Sequence, residues 1–371
     1  MTRWMLAVAL SLPLPAGAVE LADGKLGING FGSWGVGFTN NKNELAIANS
    51  TGTLEEADFG LVATARPIDP LSISFQTFFT AGNKGATAEL DWVFAEWRFS
   101  DALKLRAGRV KMPVGLFGEI PDVGTLRPLF LLPQGIYGRS ETMAEAYNGA
   151  GLTGGLELPR DWGLEYDAFA GALKVSGQSP LSFLHPSIPP EPDEVQLQAL
   201  GGRVTLLPPV EGLRFVVSGY FGQTVPTEAI GEGLDVPRNL VFAIGVSAEY
   251  AGPRFSARGE YFFRTEQREE TSHSGYLEAA YFLTKEVQVV SRMEVSTVAV
   301  PWHTGISPLK RHDEIGVGLD YWFSPQMVAK ASYHFIYGNR LATPVNLPEV
   351  VAAGTLQPLT HVLILGTQFS F

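Results

Sequence analysis

The chain has no cysteine among its 371 residues. That excludes a disulfide framework, thiolate metal sites and a lipidated N-terminal cysteine. Beyond its first residues it also lacks any apolar run long enough for a transmembrane helix. It lacks a basic stripe: the formal charge is -11, and no cluster of lysine and arginine offers a footprint for nucleic acid. Histidine is scarce, at six: His185, His273, His303, His312, His334 and His361. Only His303 and His312 fall in one expected loop, at a spacing that fits no zinc signature, and they read as solvated or interfacial residues. His273 and Ser274 are adjacent, so in a strand they face opposite sides. No nucleophile, base and orienting group come together, so no enzyme, metal or cofactor is expected. There is no linker or shift of composition either, which favours one large closed unit over the two soluble domains suggested by the length.

What the sequence does contain is strand period, repeated along its length. In THVLILGTQFSF, Leu363, Leu365, Thr367, Phe369 and Phe371 share one face, and Thr360, Gly366, Gln368 and Ser370 the other. In LSISFQTFF the apolar face is Leu71, Ile73, Phe75, Thr77 and Phe79. In RFSARGEYFFR, Phe255, Ala257, Gly259, Tyr261 and Phe263 oppose Ser256, Arg258, Glu260, Phe262 and Arg264. In DEIGVGLDYWF, Ile315, Val317, Leu319, Tyr321 and Phe323 oppose Glu314, Gly316, Gly318 and Asp320. About sixteen segments of about ten residues behave this way, the length of a tilted membrane strand.

The connections alternate in length. Short ones contain PIDP (67–70), SDA (100–102), PRDWG (159–163), PPVEG (208–212), AGP (251–253), TKE (284–286) and SPQ (324–326). Long ones fall near 39–54, 112–146, 175–194, 225–239, 265–273, 298–312 and 338–359, and on that side only the one near 81–86 is brief. Aromatic residues gather at strand ends, with Phe38, Phe221, Phe263 and Tyr337 near the long loops and Phe99, Tyr250, Phe323 and Phe371 near the short turns. A soluble sheet would hide its apolar face and would not bracket it with two aromatic girdles. The pattern predicts an all-β, transmembrane, antiparallel β-barrel of about sixteen strands.

The first residues, MTRWMLAVALSLPLPAGAVE, place Arg3 before a short apolar core and a small-x-small site at Ala16–Ala18. They predict a signal peptide over 1–18, cleaved near Ala18, and a barrel over 19–371. The first strand follows too closely to leave room for an N-terminal plug domain. Two G-x-G-x-x-G matches, Gly30–Gly35 and Gly149–Gly154, lie inside alternating strands and lack the following helix that a nucleotide site requires. The proline-rich SPLSFLHPSIPPEPD reads as a stiff external loop, and TEQREETSH as a solvated loop tip.

One connection stands apart. From GRVKMPVGLFGEIPDVG (108–124) through TLRPLFLLPQGIYGRSETM the chain is long, turn-rich and apolar. Connections beyond about 12–15 residues without structure of their own are uncommon, and are usually functional or disordered. This one is too apolar for a solvated linker.

The overall pattern resembles the bacterial porin superfamily of sixteen-stranded, usually trimeric outer-membrane barrels. AEWRFSDALKLRAGRVKMPVGLFGE (95–119), with its G-R-x-K-x-P-x-G-L run, resembles a segment of porins grouped with the phosphate-selective ones. The resemblance implies that the loop after the fifth strand, here about 112–146 after Leu103–Lys111, folds inward as a constriction loop. It also implies a homotrimer, outer-membrane lipid as surroundings, and passive diffusion of small hydrophilic solutes and ions through a water-filled pore. It does not carry phosphate selectivity, because the loop has no lysine beyond Lys111. The alternatives are a substrate-specific channel for an anion or organic acid, and a barrel serving as adhesin or partner scaffold.

The expected constriction residues on the loop are Glu119, Asp122, Arg127, Arg139 and Glu141. Those on the wall are Arg66, Glu96, Arg98, Lys104, Arg106, Lys111, Arg258 and Arg292. Further lumen-side charges are Arg214, Arg264, Lys330, Asp58, Glu165, Asp167, Glu249, Glu260, Glu278, Glu294, Glu314 and Asp320, a set in which neither sign prevails. Glu119 and Asp122 are expected to face Arg66, Arg98 and Arg106 across the narrowest point.

Overall fold

A computed structural model describes residues 19–52, 56–82, 85–138, 144–176, 194–225, 239–267, 270–300 and 306–371. The expected signal peptide, the proline-rich segment up to Asp193 that was expected to form a loop, and the expected constriction residues Arg139 and Glu141 lie outside the described residues.

Sixteen long strands follow one another: β1 (Leu26–Thr39), β2 (Glu56–Ile68), β3 (Leu71–Gly82), β4 (Gly85–Ser100), β5 (Leu103–Lys111), β6 (Ala146–Leu158), β7 (Trp162–Ser176), β8 (Glu194–Leu207), β9 (Leu213–Val225), β10 (Leu240–Ala251), β11 (Phe255–Glu266), β12 (Glu270–Phe282), β13 (Val287–Ala299), β14 (Arg311–Ser324), β15 (Met327–Tyr337) and β16 (Leu359–Ser370). Each pairs antiparallel with the next, and β1 closes on β16 with Phe31 opposite Ser370 and Thr39 opposite Val362. Closure leaves no open sheet edge, so the backbone groups of every strand find partners inside the sheet.

Alternation decides what faces outward. Along β10 exposed and buried residues alternate almost strictly. Ile315, Val317, Leu319, Tyr321 and Phe323 of β14 are all exposed on the outside, as are Leu363, Leu365 and Phe369 of β16. An apolar belt of this extent is the surface of a barrel solvated by lipid. Phe38, Phe221 and Tyr337 bracket it at the long-loop rim, and Phe99 and Phe323 at the short-turn rim. Both G-x-G-x-x-G matches run along strands, in β1 and β6. On the long-loop side the β11–β12 connection, 267–269, is also brief, contrary to its expected length, because β11 and β12 stay paired as far as Glu266 and Glu270.

The inner wall is not uniformly polar. Val114, Leu116, Phe117 and Ile136 of the long connection after β5 are buried with Leu173, Leu197, Val216, Val241 and Phe262, which point inward from β7–β11. Gly115 makes the entry turn at φ +71°, a left-handed conformation that glycine adopts without strain. The first long connection also turns inward. Leu45, Ile47 and Ala48 pack with Phe130 and Leu131 and with Ile336, Val362 and Ile364. Asn43–Glu44 pairs with Thr343–Pro344 of the last long connection. The sequence carried no signal for either feature.

A charge placed on the lipid face should act where the barrel meets hydrocarbon. Val317→Arg, at the middle of β14 and 50% exposed, is expected to cost about 2–4 kcal/mol of stability in a bilayer. Urea titration of the barrel folded in lipid vesicles measures it, and an unchanged midpoint would contradict the outward assignment.

Candidate functional site

Ion pairs and hydrogen bonds between neighbouring strands form the inner wall's main polar feature. Arg214 of β9 meets Glu249 of β10 at 2.5 Å. Glu249 meets Arg258 of β11 at 3.4 Å, and Arg258 meets Glu278 of β12 at 3.6 Å. Glu278 meets Arg292 of β13 at 3.6 Å, Arg292 meets Glu314 of β14 at 3.0 Å, and Glu314 meets His334 of β15 at 2.8 Å. Basic and acidic groups thus alternate across seven consecutive strands. The arrangement follows from register: Arg214 lies opposite Glu249, Glu249 opposite Arg258, Arg258 opposite Glu278 and Glu278 opposite Arg292. Such pairs contribute little net stability because desolvation offsets attraction, but removing one partner costs about 3–5 kcal/mol.

Above this belt the connection after β5 is fastened to the wall on several sides. Gly115 N–H donates to Ser218 of β9 at 2.9 Å. Leu116 N–H and the Tyr137 hydroxyl donate to Glu260 of β11 at 2.9 and 2.6 Å. The hydroxyls of Ser247 and Tyr276 donate to the same carboxylate at 2.7 and 2.8 Å. Gly135 N–H donates to Glu294 of β13 at 2.5 Å, and Arg292 donates to the Leu131 carbonyl at 2.8 Å. Lys330 of β15 donates to the carbonyls of Gly124 and Arg127. Polar wall residues therefore act as partners for a backbone segment with little regular structure, which has few other ways to satisfy its groups.

Glu119 occupies the nearer side. It accepts from Arg106 of β5 at 3.3 Å and from Arg203 of β8. Arg106 also holds Glu96 at 2.7 Å and lies 5.5 Å from the Phe94 ring centre. Arg203 also holds Asp167 of β7 at 2.8 Å. Burial alone would raise the Glu119 carboxyl, but Arg203 and Arg106 outweigh it and hold the group below its ordinary 4.5. Asp122 meets Lys111 at 2.9 Å and Gln76 of β3 at 3.3 Å, and Lys111 meets Asp91 of β4 at 2.9 Å. Arg127 is partly exposed. Among the described residues its guanidinium forms no ion pair, and its buried Nε has no hydrogen-bond partner. Burial lowers its pKa to about 10, against the pull of Asp122 and Asp58, so it stays cationic at neutral pH.

The expected constellation is therefore redistributed. Glu119 is brought to Arg106 and Asp122 to Lys111, but Arg66 and Arg98 are not brought to either. Arg98 sits at the short-turn end, 54% exposed and 4.0 Å from Asp101. Arg66 is exposed next to the turn after β2. Lys104 lies partly exposed on β5, opposite Arg98 and Thr153. Arg258 lies over the Phe117 ring at 5.1 Å, in the belt with Arg292.

Arg203, Asp91 and Gln76 were missed. Arg203 is the single charge in QLQALGGRVTLL. A lone charge in an apolar barrel strand has to face the lumen, so the signal was present. Asp91 was hidden by a β-bulge opposite Gln76 and Thr77, which breaks period-2 counting along β4. His312, expected in a loop, stands in β14, fully buried beside Glu314. Glu294, His312 and Glu314 each offer a ligand atom, all within 4.8 Å of one another.

No family model and no curated protein matches this sequence. Solved structures do. The chain is similar to OmpF of Salmonella typhi in complex with daunomycin (12% identity, TM-score 0.60, 95% of this chain and 100% of that one). It is similar to an anion-selective porin from Comamonas acidovorans (12% identity, TM-score 0.58, 93% and 99%). It is also similar to the outer membrane channel DcaP of Acinetobacter baumannii (7% identity, TM-score 0.57, 93% and 97%). At these identities the likeness shows the fold, which is that of the sixteen-stranded outer-membrane porins.

Two outcomes test the site. Glu260→Ala leaves the Tyr137, Tyr276 and Ser247 hydroxyls and Leu116 N–H without their acceptor, at about 1–3 kcal/mol for a buried group left unsatisfied. Segment 112–138 should then become sensitive to protease and the unfolding temperature should fall; wild-type resistance and stability would count against the latch. The second outcome concerns pH. A carboxylate with a depressed pKa contributes stability above its ordinary value and loses it as pH falls through the depressed one. The Glu119 clamp should therefore hold at about pH 5 and release only below 4.5. Protease protection of the loop followed over acidic pH reads this, and release near neutrality would contradict it.

Proposed function

We propose that residues 19–371, after removal of a signal over 1–18 near Ala18, form a Gram-negative outer-membrane porin. Small hydrophilic solutes and ions diffuse passively through its water-filled lumen, and the protein performs no chemistry. A homotrimeric assembly accords with the porins it resembles; one solved structure of similar fold, OmpT of Vibrio cholerae, is described as a trimer. The likeness of 95–119 to the phosphate-selective group remains a resemblance of sequence.

The observation that carries this reading is the loop fastened inside a lipid-facing barrel. A binding scaffold or adhesin would gain from loops displayed outside, whereas this one uses Ser218, Glu260, Glu294, Arg292 and Lys330 of the wall as its supports. In our reading residues 119–127 form the constriction. Of these residues only Gly124 is buried, and Leu126 is the most open at 45%. Selectivity at such a point follows from radius and from the field of the lining charges.

That field gives one alternative a specific basis. Every carboxylate named at this edge is held by a cation, Glu119 by Arg106 and Arg203 and Asp122 by Lys111, although those cations also hold Glu96, Asp167 and Asp91, whereas Arg127 has no ion pair among the described residues and stands at the exposed edge. The constriction accordingly favours anions, and one solved barrel of similar fold is an anion-selective porin.

Recordings of single channels in planar bilayers with a salt gradient test both statements. The expected result is an ohmic conductance with a reversal potential on the anion side. Arg127→Gln should move that potential toward cation preference, while Arg98→Gln at the exposed turn should leave it in place. A barrel that never conducts would refute the porin reading, and an Arg127→Gln variant with unchanged potential would refute the charge assignment.

A further inference from the structure

We propose that Glu294, His312 and Glu314 form a buried site for a divalent transition-metal ion that clamps the far end of the loop after β5. This does not rest on the channel reading, because the site lies beneath the loop rather than at its exposed edge.

Register raises the problem that the site solves. Glu294 of β13 and Glu314 of β14 stand directly opposite each other. Like charges directly opposite are destabilising in a sheet, and here both side chains are essentially inaccessible, at 1% and 0% exposure. A cation or a shared proton has to offset the two charges. Arg292 answers this in part. It reaches Glu314 Oε1 at 3.0 Å, but its Nε stays 3.7 Å from Glu294 Oε2, beyond hydrogen-bond length. Glu294 Oε2, Arg292 Nε and His312 Nδ1 are all buried without a hydrogen-bond partner. An unmet carboxylate oxygen beside an imidazole at zero exposure is an unfinished site.

The donor set defines the occupant. Two carboxylates and one imidazole suit zinc, and also cobalt, nickel or manganese, better than the all-oxygen preference of calcium or magnesium. Around a metal with ligand bonds of about 2.0–2.2 Å, donor atoms lie roughly 3.5 Å apart. His312 Nε2 and Glu314 Oε2 already stand 3.2 Å apart, and Glu294 offers a carboxylate oxygen to the same cluster, whose ligand atoms all lie within 4.8 Å of one another. Other groups face the site from each neighbouring strand and loop. His334 of β15 holds Glu314 Oε1 at 2.8 Å, as a second-layer residue orienting a ligand would. Arg340 of the last connection donates to the hydroxyl of Ser296. Arg292 keeps Glu278 at 3.6 Å and the Leu131 carbonyl at 2.8 Å, so it retains partners when a metal takes over Glu294. Because Glu294 Oε1 accepts Gly135 N–H, an ion bound here ties wall and loop together.

The test uses the untagged barrel purified in detergent and stripped with a chelator. Added Co2+ should bind at one ion per chain with visible d–d absorption, Zn2+ should displace it, and either should raise the unfolding temperature by mass action. His312→Ala and Glu294→Gln should each weaken binding at least tenfold. His273→Ala and His361→Ala, which alter an exposed and a partly exposed histidine, should leave it unchanged. Failure of the stripped wild-type barrel to take up either metal overturns the proposal, as does uptake that survives both ligand substitutions. A proton shared by the two glutamates in place of a metal would give the first of these results, with stability that follows pH but not metal.

Discussion

Charges enclosed in a lumen must be answered by other charges or by polar backbone, and the interior of this protein is organised by that requirement. Isolated ions in a low-dielectric interior are too costly to leave unpaired. The barrel meets the requirement in two ways. Along β9 to β13, residues of opposite sign stand opposite one another in register from Arg214 to Arg292, and diagonal contacts extend the chain through Glu314 to His334. Where the long connection enters, the same kinds of side chain take up free N–H and C=O groups instead.

These two uses of charge are joined at shared residues. Arg292 belongs to the belt and also holds the Leu131 carbonyl. Glu294 faces Glu314 across strands and also accepts Gly135 N–H. The wall and the loop cannot therefore be rearranged independently. The apolar inner cluster adds a second constraint, since Leu173, Leu197, Val216 and Phe262 would face water without Val114, Leu116 and Phe117. At about 25 cal/mol per Å² of apolar surface removed from water, that contact stabilises the inward position of the loop.

The exterior poses the reverse requirement. Outward positions need only be apolar and of suitable girth, with aromatics at the two rims, so they tolerate varied residues without loss of fold. This accords with a chain that keeps the porin architecture at 7–12% identity to the solved barrels compared above.

Period-2 alternation and the alternation of short and long connections were legible in the residue order, because a closed barrel has one lipid face and one return direction for every strand. The count of strands, and the placing of the long apolar connection after the fifth, came from those two rules. Alternation reports which face a residue occupies, but not its height or its neighbour around the ring. Arg66 and Arg98 were read on the inner face yet stand at the short-turn end, while Arg203, ninety-seven positions after Arg106 in the chain, stands across Glu119 from it. A bulge hid Asp91, and the strand start at Arg311 moved His312 from a loop into the wall. Which charges meet is set by register between strands distant in sequence and by the path of a loop through the lumen. Only the tertiary structure decides these, because they depend on simultaneous packing of segments that carry no local signal of one another.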